Sequence, residues 1–234
     1  MSPEDNKPFL IRDPFLLAVL ACSQFVVLTL GAMLFYPGGE LGGVPTQGYR
    51  FFTNFFSALG YTRTPTGQAN TVSAILFFIA LLLAGLGLAL FFVAFARLFT
   101  HTRLLRWLSR AGTLSGVLSG LCFIGVAFTP ANLLRPIHLQ FVLWAFRFFP
   151  LAAGLYTLVI FLAPHYPRRY GFVFLGFTFL LVLYLLLLTQ GPDPYNSLEG
   201  RMIQATGQKL IVYAAILSVL VQAWGARKTR VDPP

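Results

Sequence analysis

Six long apolar stretches, separated by shorter polar connectors, dominate the pattern of this chain. A helix needs about 20 predominantly apolar residues to cross a bilayer. We therefore predict an all-α polytopic membrane protein, in which residues 1–234 form a single domain built as a bundle of six transmembrane helices. The predicted spans are residues 15–36, 72–96, 111–128, 137–162, 171–188 and 207–224.

The composition supports a bilayer environment. Hydrophobic residues make up 57% of the chain and charged residues 10%, whereas about 25% of the residues in soluble domains are charged. The formal net charge is +10, but the basic residues lie around the connectors and in the tail instead of along one face. Nucleic acid is therefore not an expected partner.

The lysines and arginines alternate between the two sides of the predicted bundle. The N-terminal segment, the second and fourth connectors and the tail hold 11 of them, and the other side holds 5, of which Lys209 lies just inside the start of the last span. Cytoplasmic loops of membrane proteins carry the excess of basic residues. We therefore predict an integral membrane protein with both termini in the cytoplasm and the 37–71 connector outside.

The 37–71 connector contains two different patterns. Glycine and proline fill its first part, and residues 49–60 then place four phenylalanines beside Arg50, Asn54 and Ser57. An aromatic, amphipathic segment of this kind is typical of a short interfacial helix in the headgroup region. Its polar side chains either meet water or line an outer pocket together with the third connector, and the sequence leaves both alternatives open.

The third span carries a stripe of small residues. Gly112, Gly116 and Gly120 recur at intervals of four, which lets two helix backbones approach closely in a membrane. The stripe predicts helix packing, either at a dimer interface or, as we favour for a six-helix protein, at the centre of the bundle.

Arg147 is the ionisable residue in the middle of the fourth span, and no aspartate or glutamate occurs between Arg110 and Pro164. A charge at membrane depth is costly and marks a functional site by default. We predict a buried cation that shares one helical stripe with Gln140 and Trp144. Either backbone carbonyls and neighbouring polar side chains satisfy it, or the phosphate or carboxylate of a bound amphiphile does.

The outer ends of two helices supply further polar candidates. Pro136 fits the first turn of the fourth helix, which places His138 at the outer interface and nearly opposite Arg147. The sixth helix is predicted to start near Asn196 or Ser197, either of which suits an N-cap. The complete set of predicted ligand-binding residues is Arg50, Asn54, Arg135, Gln140, Trp144, Arg147, Arg201 and Gln204.

Metal and haem chemistry are not expected. His101, His138 and His165 are scattered along the chain, and Cys22 and Cys122 lie in separate apolar stretches. A catalytic zinc ion takes three protein ligands, which these residues do not bring together on one predicted side. We therefore predict no cofactor and no metal site.

Several short motifs along the chain carry a resemblance to a known family of membrane proteins. With residues 54–60, Asn70, the Phe128-Thr129-Pro130 run followed by His138, and Gln208-Lys209, the chain resembles an uncharacterised prokaryotic family of six-helix membrane proteins related to the FRAG, DRAM and Sfk proteins. The resemblance implies a six-helix bundle in the prokaryotic plasma (inner) membrane and an association with lipid organisation. It implies no enzymatic reaction.

These observations favour a non-enzymatic integral membrane protein. It either binds a lipid or another amphiphile at its outer face or acts as an accessory subunit of a membrane complex. Membrane lipids are the expected partners, with other membrane subunits or further copies of the chain as additional ones. The alternative is a lipid-directed hydrolase or transferase with an outer-facing site that uses Ser57 as nucleophile and His138 as base.

Overall fold

The computed structural model describes residues 13–231 and confirms the six-helix fold. Within these residues, six helices are long and apolar enough to cross a membrane. They are α1 (Pro14–Leu34), α2 (Thr71–Phe95), α3 (Arg103–Phe128), α4 (Arg135–Leu162), α5 (Arg168–Gln190) and α6 (Leu198–Val231).

Two helices begin at polar caps that lie before the predicted apolar spans. The α3 helix begins at Arg103 instead of residue 111, because the Thr102 side chain accepts a hydrogen bond from the Leu105 N–H at 3.2 Å. The α6 helix begins at Leu198, where the Ser197 hydroxyl accepts from the Gly200 N–H at 2.9 Å. The predicted cap near Asn196 or Ser197 is thereby confirmed.

Each helix packs against the next one in the chain, and α6 also packs against α1, so the six helices close into a ring. Three connectors therefore meet at one end of the bundle, which we call the loop end: residues 35–70, 129–134 and 191–197. The opposite end holds the two short connectors, 96–102 and 163–167, and we call it the basic end.

The glycine stripe of α3 packs inside this ring. A Cβ atom on Gly112 would lie 2.9 Å from the Tyr156 ring, and one on Gly120 would lie 2.6 Å from the carbonyl oxygen of Gly85. Gly116 directly faces the ring of Phe92. These glycines therefore let α3 approach α2 and α4 within a single chain.

Candidate functional site at the loop end

The first connector does not form a helix over the whole predicted stretch 49–60. Its helical part is a 3₁₀ helix, Phe56–Gly60, which follows a turn. The turn is held by Asn54, whose amide donates to the Gly39 carbonyl at 2.9 Å and whose oxygen accepts from the Arg50 N–H at 2.8 Å. Asn54 is buried, so it holds the loop together from the inside.

A buried ion pair fastens this connector to α6. The Arg201 guanidinium lies 3.2 Å from the Glu40 carboxylate, and both side chains are about nine-tenths buried. The Thr53 hydroxyl donates to the other carboxylate oxygen at 2.7 Å. Sequence reasoning missed Glu40, because a glycine-rich loop gives no local sign of a partner 161 positions away.

Lys209 provides the second attachment of the first connector to α6. Its side chain is 1% exposed, and its ammonium group donates to the carbonyls of Asn54 and Ala205. The rings of Tyr49, Phe51 and Phe56 surround the ammonium with centroids 5.1 to 5.7 Å away, within the range of cation–π attraction.

Neighbouring polar groups complete this network. The Tyr49 hydroxyl also donates to the Asn54 carbonyl, at 2.9 Å, and burial raises the pKa of this hydroxyl well above its usual value, so it stays a donor. Gln208 accepts from the Phe56 N–H at 2.7 Å. The Gln204 amide donates to the carbonyls of Leu187 and Pro192. The polar groups of Asn54, Arg201 and Gln204 thus bind the chain itself.

The two remaining basic candidates at the loop end lie on its surface. Arg50 and Arg135 are both exposed. The Arg135 guanidinium lies 4.3 Å from the centroid of the Tyr195 ring, which ties the third connector to the fifth.

A cavity opens beside this network, between the first and third connectors. It has a volume of about 200 Å³ and contains both residues of the hydrolase alternative, Ser57 and His138. Its walls come from the 3₁₀ helix, the start of α2, the end of α3 and the start of α4. The other lining residues are Gly60, Thr62, Ala74, Ile75, Phe77, Phe78, Val126, Ala127, Pro130 and Ala131.

His138 is fixed in this cavity by the end of α3. The ring is buried, and its Nδ1 lies 2.6 Å from the carbonyl oxygen of Thr129. A carbonyl accepts only, so Nδ1 carries the proton and Nε2 keeps its lone pair. Within residues 13–231, neither Nε2 nor the Ser57 hydroxyl has a hydrogen-bond partner in the protein, and the two side chains do not bond to each other.

A pair of hydrogen bonds joins the first and third connectors beside the cavity, at Thr62 of its wall. The Asn132 amide donates to the Thr62 hydroxyl at 2.8 Å, and the Thr62 N–H donates to the Asn132 oxygen at 3.0 Å. Both residues are exposed, so water competes for these bonds. This link, which joins the first connector to the third, is a contact that opens at low cost.

A second cavity, of about 100 Å³, lies among α1, α2, α3, α4 and α6, and its lining is apolar. Cys22 is the most polar residue on its wall. This cavity offers space for hydrocarbon and no group that recognises a headgroup.

The Arg147 stripe lies elsewhere. Gln140, Trp144 and Arg147 are all exposed on the outer surface of α4, and the guanidinium lies 4.9 Å from the centroid of the Trp144 ring. The prediction that Arg147 is buried is therefore wrong. Ala145 and Phe149 are buried in the bundle. At about 3.6 residues per turn, Arg147 then lies on the opposite side of α4, outside the bundle.

No group of three or more residues able to hold a metal ion occurs in the part of the chain from Asp13 to Val231. The fold defines a polytopic helical membrane protein. No family model, curated protein or solved structure matches the chain.

Proposed function

We propose that this protein binds a membrane lipid or a similar amphiphile in the cavity at the loop end, without transforming it. The observation that carries the proposal is the arrangement of Ser57 and His138, whose Oγ and Nε2 have no protein partners within the described residues, on the wall of one mostly apolar cavity. Binding sites for small molecules combine apolar walls with a few placed polar groups in this way.

The polar groups define the ligand's chemistry. Nε2 of His138 accepts a hydrogen bond, and the Ser57 hydroxyl donates and accepts. A lipid whose polar end carries a hydroxyl or an amide N–H satisfies both, while its apolar part lies against Ile75, Phe77 and Phe78. The resemblance to the six-helix family associated with lipid organisation points the same way.

The geometry favours binding over hydrolysis. A serine nucleophile is activated by a base within hydrogen-bonding distance, and a third group usually orients that base. His138 is oriented by a backbone carbonyl, but no hydrogen bond links it to Ser57 within the described residues. The hydrolase alternative therefore lacks its central contact.

Native mass spectrometry in a mild detergent tests this proposal. The wild-type protein is expected to retain one lipid, and His138→Ala or Ser57→Ala to lower its occupancy about three- to tenfold, the loss that one hydrogen bond accounts for. His165→Ala serves as the control, because His165 is exposed at the basic end. Equal occupancy in all four proteins, or one equivalent of bound zinc, contradicts the proposal.

The excess of lysine and arginine around the basic end predicts that the loop end, and with it the proposed site, faces outward. In a background without Cys22 and Cys122, we expect an impermeant thiol reagent to label Gln47→Cys in intact cells and to leave Thr102→Cys unlabelled until the cells are opened. Both positions are exposed and lie at opposite ends of the bundle. The reverse labelling pattern would place the cavity in the cytoplasmic leaflet.

A further inference from the structure

Arg147 lies at the middle of a helix that is long enough to cross the bilayer. The α4 helix has 28 residues, and at 1.5 Å per residue it is roughly 42 Å long. Arg147 is roughly 2 Å from its midpoint by the same rise. The hydrocarbon core of a bilayer is about 30 Å thick, so the exposed guanidinium lies deep within it.

Within residues 13–231, no carboxylate of this chain pairs with the Arg147 guanidinium. Residues 41–192 contain no aspartate or glutamate, and neither do residues 200–231. The described contact of the guanidinium is the face of the Trp144 ring. A second copy of this chain would bring the same acid-free segments, so self-association leaves the cation without an opposite charge as well.

A bulk lipid does not neutralise it either. The phosphates lie outside the hydrocarbon core, about 15 Å from its centre, which is further than an arginine side chain extends. A charge held in hydrocarbon without a partner is strongly unfavourable. The partner must therefore bring its own anion to mid-membrane depth.

We propose that the exposed face of α4 docks a transmembrane helix of a different polypeptide, one that carries an aspartate or glutamate near its middle. Arg147 binds this carboxylate in two places, since the guanidinium fork matches carboxylate geometry. Gln140, on the same face, offers a further hydrogen bond nearer the loop end.

The surface next to Arg147 fits such a helix. An open groove of about 380 Å³ runs from Pro150 past Gly154 to Leu158 and is bordered by Leu175 of α5. A small residue at a membrane helix interface lets a partner backbone approach closely. The groove begins one helical turn from Arg147, toward the basic end, so one docked helix covers both features.

The test uses the full chain in neutral lipid vesicles and two synthetic probes: a leucine-alanine transmembrane peptide with a central glutamate, and the same peptide with leucine there. Energy transfer between labelled protein and peptide reports association. We expect the glutamate peptide to bind about five- to thirty-fold more tightly, the range that interhelical polar contacts give in membranes. Arg147→Leu should abolish this preference, and Arg147→Lys should weaken it.

Control variants show whether the preference depends on the charge at position 147 itself. Arg135→Leu removes an arginine from the loop-end terminus of the same helix and should leave the preference unchanged. Arg147 is on the outer surface, so Arg147→Leu should keep the parent's melting temperature. Equal binding of the two peptides, an unchanged preference in Arg147→Leu, or its loss in Arg135→Leu as well would overturn the proposal. Arginine-dependent dimers without peptide would overturn it in favour of a second copy.

Discussion

Replacing Arg201 with methionine is expected to lower the free energy of unfolding by about 3–5 kcal/mol, the usual effect of removing one partner of a buried ion pair. Glu40 is left as a buried carboxylate whose remaining described partner is the Thr53 hydroxyl. The part of the first connector around Glu40 should then loosen from α6, while Lys209 and Gln208 still hold residues 54–56. Reversible denaturant unfolding in detergent micelles measures the loss, and limited proteolysis within residues 35–70 locates it.

A double substitution distinguishes the charge effect from lost packing. When both members of a buried pair become apolar, the change is often neutral or even stabilising, so Arg201→Met with Glu40→Leu should recover much of the stability. Arg135→Met is the matched control at the same end, since its cation–π contact with the exposed Tyr195 ring contributes about 0.5–1 kcal/mol. Arg201→Met with the stability of Arg135→Met would mean that Arg201 is free for a ligand after all.

The number of membrane helices could be predicted from the sequence, because the thickness of the bilayer sets the length of apolar chain that a membrane helix needs. The ends of the helices were harder to predict. The polar first turns of α3, from Arg103 onward, look like a connector when only hydropathy is considered, and the cap from Thr102 that makes them helical is a hydrogen bond between neighbours.

It was also difficult to predict which side of α4 points into the bundle. Lipid and protein interior are similarly apolar, so a membrane helix carries a weak pattern of inside and outside positions. Periodicity correctly separated His138 from Arg147, and the structure buries the first and exposes the second. Which of the two points inward depends on packing: Ala145 and Ala152 are fully buried against neighbouring helices, and such tight contacts leave no space for arginine.

The loop end was the least predictable region. Asn54, Arg201 and Gln204 were expected to bind a ligand because they are polar and lie at the membrane boundary. In the structure their side chains bond to the chain itself: Asn54 to Gly39 within the first connector, Gln204 to the carbonyls of Leu187 and Pro192, and Arg201 to Glu40, 161 positions away. Long-range pairings of this kind leave no periodic trace in the sequence. The cavity lined by Ser57 and His138 likewise lies between two parts of the chain that are far apart in the sequence.

The anchored loop also gives the proposed binding site its rigidity. The 3₁₀ helix that carries Ser57 is fixed on one side by Gln208, through the Phe56 N–H, and on the other by Asn70, whose amide donates to the carbonyls of Leu59 and Tyr61. These contacts hold the backbone of the 3₁₀ helix, so a ligand that binds Ser57 does not have to order this segment. The link between Asn132 and Thr62 beside the cavity is weaker, because both residues are exposed and water competes for its hydrogen bonds.

Substituting Gly116 by leucine should destabilise the bundle by about 1–3 kcal/mol or more, the cost of forcing extra methylenes into a packed core. The new side chain would overlap the ring of Phe92. That ring is fully buried and is held by Phe149 and Tyr156, with ring centroids 6.2 and 5.6 Å away, so it has no free space to move into. The α2 and α3 helices must then separate.

Gly176→Leu is the matched comparison. Nothing lies within 4 Å of a Cβ atom built on Gly176, and this glycine is also inside a helix. Both substitutions gain about the same helix propensity, roughly 0.5–1 kcal/mol relative to glycine, so the difference between the two variants reports packing alone. We expect Gly176→Leu to melt at or slightly above the parent's temperature and Gly116→Leu well below it. Equal melting temperatures for the two variants would place the α3 stripe against lipid, and the close approach of α2 and α3 would have to be abandoned.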